Sequence, residues 1–190
     1  MSTTQAPHDP SALATWANAV TVARMLLAPL LFTLIDGRKG SWLTLAMWFA
    51  LCSTDFADGW LARRQGTTRS GAFLDPLADK VLVLGAMFTL VHEGVFWIVP
   101  VALIAAREFL ISLYRSVAGT QGVSVPASRL AKAKTVTQQF AVAFALLPIT
   151  ARRAMWTWQW LLWVAVALTL WTGAQYLRNA RRTITAQLGR

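Results

Sequence analysis

Long apolar runs alternate with short polar connections along almost the whole chain. Six such runs lie near residues 18–35, 41–61, 72–91, 95–114, 134–150 and 154–177. A helix needs about 20 residues to cross a hydrocarbon core, and the last run supplies 24 without a charge. The pattern predicts an all-α, polytopic membrane protein with six transmembrane helices. Several runs carry a charge, such as Arg24, Lys80 and the Arg107–Glu108 pair. Charge beside lipid is costly, so those spans are expected to line a polar cavity. Residues 1–17 form a polar N-terminal segment, 18–178 a single membrane domain and 179–190 a basic tail. The opening MSTTQAPHDPSA has no Lys or Arg and so lacks the positive start of a signal peptide.

Composition sharpens this picture. Hydrophobic residues make up 56% and charged ones 14%, against about 45–50% and 25% in soluble domains. A water-soluble globule and a disordered chain are both disfavoured. The net charge of +10 arises between apolar runs, which points to a membrane rather than to nucleic acid. Connections at the N-terminus, 62–70, 115–134 and the tail from 178 hold 11 Lys and Arg, and those at 36–41, 92–94 and 151–153 hold 4. The positive-inside rule then puts both termini in the cytoplasm. The ten Trp suit two interfacial belts, with Trp156, Trp158 and Trp160 marking the outer one. The single Cys52 excludes an intramolecular disulfide and a CxxC metal site.

The acids carry the chemistry. Of eight, four fall between Asp55 and Asp79, within Asp55-Phe56-Ala57-Asp58-Gly59-Trp60-Leu61-Ala62-Arg63 and Gly71-Ala72-Phe73-Leu74-Asp75-Pro76-Leu77-Ala78-Asp79. Asp55 and Asp58 are spaced i, i+3 at the end of one helix, and Asp75 and Asp79 i, i+4 at the start of the next, so each pair shares a face. A short loop makes the helices antiparallel neighbours, and the carboxylates can converge. Four would repel one another unless protons or cations neutralise them. An all-oxygen donor set suits Mg²⁺ or Mn²⁺ rather than zinc. It suffices for two ions about 4 Å apart, as in enzymes that displace at phosphorus. Gly59, Ala62 and Gly71 leave room for a ligand against backbone, and Arg63 can reach a phosphate. Ordinary small-residue helix packing is the alternative for either glycine alone.

Asp-Gly-x2-Ala-Arg-x7-Gly-x3-Asp-x3-Asp resembles the motif of the CDP-alcohol phosphatidyltransferases. The resemblance extends from Asn18 to about Pro148, through Asn18-Ala19-Val20-Thr21-Val22-Ala23-Arg24, Ala106-Arg107-Glu108-Phe109 and Lys132-Ala133-Lys134-Thr135. It implies six transmembrane helices, a homodimer and an active site open to the cytoplasm. It further implies that Asp55, Asp58, Asp75 and Asp79 ligate metal and that Asp79 is the general base. Asn18, Thr21, Gly59, Arg63 and Thr68, with Gly71, would contact the CDP part of a lipid donor. The expected reaction is transfer of a phosphatidyl group from CDP-diacylglycerol to a small alcohol, releasing CMP, in the cell membrane.

The bases suggest which alcohol. Arg107 lies within an apolar run, and Arg115, Lys132 and Lys134 flank the connection between the fourth and fifth. Together they could bind a phosphate monoester, which favours glycerol 3-phosphate over phosphatidylglycerol, the acceptor of a cardiolipin synthase of the same family. The structural alternative pairs Arg107 with Glu108 or a neighbouring helix and leaves the others as positive-inside charges. A cation transporter or channel would instead put acids at mid-span in several helices, often with an inverted repeat. No repeat is visible here. A silent scaffold would have no use for the four acids.

Overall fold

The computed structural model describes residues 16–65, 71–120 and 129–188. Seven helices and a single 3₁₀ turn account for almost all of them: α1 (Trp16–Leu34), the turn Gly37–Lys39, α2 (Trp42–Gln65), α3 (Gly71–His92), α4 (Ile98–Thr120), α5 (Arg129–Leu146), α6 (Pro148–Arg153) and α7 (Met155–Leu188). Among the described residues there is no strand. Five of the six apolar runs each coincide with one helix. The run expected at 134–150 is divided instead. Pro148 has no N–H to continue α5 and disfavours a helical residue before it. Leu147 is accordingly extended (φ −70°, ψ 120°), and Pro148 opens the short α6. Pro76 lies inside α3. That helix starts at Gly71, so Pro76 stands in its second turn, where the missing N–H costs a helical hydrogen bond.

The helices pack around one apolar core. Trp48, Leu31, Leu82, Met87, Leu90, Ile104, Val142 and Leu146 are buried in it, with Leu162 and Val166 of α7. Helix α1 lies against both α2 and α3, α5 runs along α7, and α4 packs on α7 and α3. The approach of α1 to α3 depends on Gly85. A Cβ there would come within 2.3 Å of the Phe32 ring, so only glycine lets the helices meet so closely.

Three connections meet at one end of the bundle. The Gly37 N–H donates to Oε2 of Glu93 (2.9 Å), and the Ser41 N–H donates to the Leu146 carbonyl (3.0 Å). Gly40, at φ +61°, sits so close that a Cβ would lie 2.8 Å from that carbonyl oxygen. Phe96 packs on Trp158 with ring centroids 5.4 Å apart.

Polarity is distributed inside out. Arg24, Thr21, Glu108, Lys134, Gln138, Thr169 and Thr172 are buried, while Leu26, Phe109, Leu110, Trp97, Trp160 and Trp171 are more than 60% exposed. Among the described residues, no helix is long and apolar enough to cross a membrane.

Candidate active site

The motif straddles the end of the bundle opposite the connections just described. Asp55 and Asp58 fall in the last three turns of α2, and Asp75 and Asp79 in the first three of α3. The intervening loop, with Thr68, lies outside the described residues, as do the side chains of Asn18, Asp55, Asp58, Arg63, Asp75, Arg115 and Lys132. Gly59 and Gly71 are helical, the latter being the first residue of α3. Among the described residues α2 and α3 touch only sparingly, because α1 lies against both. The two halves of the motif therefore stand on separate helices held by a third. Asp79, half-buried, is the one acid of the four whose side chain is described. Among the described residues no three Asp, Glu, His or Cys side chains gather into a metal site.

Helix α1 carries polar side chains into the interior of the bundle. Thr21 is fully buried and Arg24 is 1% exposed. The Arg24 Nε donates to the Thr54 hydroxyl across 3.0 Å, and Thr54 in turn donates to the Leu51 carbonyl (2.6 Å). A buried guanidinium is thus fixed one residue before Asp55.

A second polar layer lies between α3, α4, α5 and α7. Nη1 of Arg107 donates to Oε1 of Glu108 (3.1 Å), and the ammonium of Lys134 donates to the same oxygen. Nη2 of Arg107 donates to the Thr172 hydroxyl (2.9 Å). One helical turn beyond Glu108, Ser112 accepts from Lys80, the neighbour of Asp79, and donates to the Glu108 carbonyl (2.6 Å). Two of the four bases singled out in the sequence, Arg107 and Lys134, are therefore brought together next to the helix that carries Asp79. Arg107 does pair with Glu108, as the structural alternative has it, but Lys134 joins on the same carboxylate.

Lys80 was expected beside a polar cavity from its charge in an apolar run, but nothing in the apolar patterning marked Gln138, Thr169 or Thr172 for this layer. Gln138 donates to Thr169 across 3.3 Å, and both threonines are fully buried. Thr169 and Thr172 sit in the run that looked most purely apolar. The available signal was their i, i+3 spacing, which puts two hydroxyls on one face of α7.

The sequence matches a known class. The profile of the CDP-alcohol phosphatidyltransferases matches residues 14–171, and the chain belongs to that family. Its relatives point further. A protein of Rickettsia typhi named CDP-diacylglycerol–glycerol-3-phosphate 3-phosphatidyltransferase is 36% identical over 170 residues, covering 86% of this chain and 96% of that protein. One of the same name from Escherichia coli (strain K12) is 38% identical over 179 residues, covering 88% and 96%. A third, from Rickettsia bellii, is 35% identical over 171 residues, covering 87% and 94%.

Proposed function

We propose that this protein transfers the phosphatidyl group of CDP-diacylglycerol to glycerol 3-phosphate, giving phosphatidylglycerophosphate and CMP. The observation that carries this reading is the near full-length similarity to relatives bearing that activity in their names. The placement of Arg107 and Lys134 on one carboxylate, that of Glu108, supports it, because two cations suit the phosphate that distinguishes this acceptor from a plain alcohol.

Asp55, Asp58, Asp75 and Asp79 would hold Mg²⁺ or Mn²⁺, two ions in all, and their all-carboxylate donor set fits such hard cations. Bound there, the ions would polarise the donor's diphosphate and stabilise the departing CMP. The chain's own residues do the rest. Asp79 takes the proton of the acceptor hydroxyl as its oxygen bonds to the phosphorus that carries the diacylglycerol. The bond from that phosphorus to the CMP oxygen breaks. Asn18, Thr21, Gly59, Arg63, Thr68 and Gly71 form the seat of the CDP group, and Arg107, Arg115, Lys132 and Lys134 that of the acceptor phosphate.

The donor's acyl chains must stay in lipid while its nucleotide stays in water. A six-span, homodimeric enzyme of the cell membrane with its site at the cytoplasmic face meets that need. Three observations support the placement: the outward-facing Leu, Phe and Trp, the 11-to-4 split of Lys and Arg, and the meeting of the three base-poor connections at one end. The α7 helix, with 34 residues, would run to about 50 Å, beyond the roughly 30 Å of hydrocarbon. Its basic end would then stand in the cytoplasm.

The deciding experiment offers purified protein labelled CDP-diacylglycerol with glycerol 3-phosphate, glycerol, phosphatidylglycerol and inositol phosphate in turn. Phosphatidylglycerophosphate is the expected product. Equal turnover of glycerol would remove the phosphate-recognition argument, and cardiolipin formation without the phosphate product would replace this reading with a cardiolipin synthase.

A further inference from the structure

Glu108 is a single carboxylate, on one helix of an apolar bundle, that carries two cations. Arg107 precedes it on α4 and Lys134 comes from α5, and both end on Oε1. The three side chains are only 10%, 11% and 5% exposed, in the order Arg107, Glu108, Lys134. Arg107 is held again by Thr172 of α7, whose hydroxyl is itself anchored on the Leu168 carbonyl at 2.8 Å. The Cγ of Arg107 lies against Gly173, within ordinary contact distance of a Cβ built there.

Stability does not account for this arrangement. Buried ion pairs contribute little net stability, because desolvation offsets the attraction, and apolar replacements of similar volume often do as well or better. The trio also carries more positive than negative charge, which is an unfavourable way to fill a core and a favourable way to meet an anion. Arg and Lys are flexible chains with large rotamer entropy, so a carboxylate that holds both removes part of the ordering cost of binding.

We propose that Glu108 is the positioning residue of the acceptor site, fixing Arg107 and Lys134 as a preset pair for the acceptor's phosphate. The inference rests on the glycerol 3-phosphate reading above and adds a residue whose charge has the wrong sign for contact with that phosphate. Glu108 acts through its two neighbours and not on the substrate.

The test is steady-state kinetics of the full chain in detergent micelles, varying each substrate separately. Glu108→Gln keeps the shape of the side chain and removes its charge. The KM for glycerol 3-phosphate should rise about tenfold or more, the size of effect expected from losing a charged hydrogen bond. The KM for CDP-diacylglycerol should stay within about twofold. Glu108→Asp should recover part of the loss, and Thr172→Val should raise the same KM by a smaller factor. A merely structural role would instead lower kcat and raise both KM values together, and that result would overturn the proposal, as would an E108Q enzyme with both KM values unchanged. Should E108Q fail to fold, E108D and T172V decide the matter: wild-type KM for glycerol 3-phosphate in both would also overturn it. Absence of wild-type turnover with glycerol 3-phosphate removes the functional reading and this inference together, whereas normal wild-type turnover with an unmoved E108Q removes the inference alone.

Discussion

Arg24 of α1 and Thr54 of α2 are joined by a hydrogen bond of 3.0 Å inside the bundle, one residue before the first acid of the motif. The bond ties the helix that lies against both halves of the motif to the helix that carries Asp55 and Asp58. It therefore sets the register of α1 on α2 at the depth where the chemistry is expected. Replacing Thr54 by Val keeps the volume and removes the oxygen. The expected cost is about 1.5–3 kcal/mol, the range for a hydrogen bond to a charged group. It would be read as a lower unfolding temperature in detergent. Unchanged stability and activity in Thr54→Val would show that the bond sets nothing.

Gly85 and Phe32 make a second contact with a clear consequence. A methyl at Gly85 would sit 2.3 Å from the ring edge of Phe32, far inside van der Waals contact. Gly85→Ala should destabilise the protein by about 1–3 kcal/mol, as overpacking does. The double variant Gly85→Ala/Phe32→Leu should recover most of that loss. Thermal unfolding of the three proteins checks it, and a double variant no better than the single one would put the strain elsewhere.

Much of the helix plan was legible from hydropathy alone, because most of the apolar runs are bounded by Lys, Arg or Gly. The break at Leu147 was not, although Pro148 was in plain view. A run of apolar residues reads the same through a helix break, and only the extended backbone of Leu147 separates α5 from α6. The carboxylates of the motif were found because acids are conspicuous in apolar sequence. Thr169, Thr172 and Gln138 were not, since hydroxyl and amide side chains hardly interrupt an apolar run, and their grouping with Arg107 and Lys134 needs the packing of α4, α5 and α7. Pairing across helices 26 and 65 residues apart has no local signature.

Topology can be tested by accessibility. With both termini cytoplasmic, cysteines at Ser2 and in the 92–94 connection should label from opposite sides of sealed vesicles. His92 is the better second position because it is exposed, whereas Gly94 has φ +67°, a conformation that strains any residue with a Cβ. Cys52 is the only native cysteine, so Cys52→Ala provides the background. Labelling of both positions from the same side would overturn the six-span arrangement or its orientation.

The metal and the base can be separated by experiment. Four carboxylates gathered where α2 ends and α3 begins would repel unless cations lay between them, so chelation with EDTA should abolish turnover and Mg²⁺ or Mn²⁺ should restore it. Full activity in chelator would remove the metal-assisted reading. Asp79 has a second task, since an alcohol is too weak an acid to attack without losing its proton to a base. Asp79→Asn keeps the size of the side chain and one oxygen but cannot take that proton. It should lower turnover by about 10²–10⁴, the usual range for general-base loss, while binding of CDP-diacylglycerol persists in part through the other residues of the donor seat. Binding is measured separately, by titrating the labelled donor without acceptor. A variant that kept more than about a tenth of the wild-type rate would assign the proton to another group, and Asp75, one turn earlier on α3, would be the next to replace.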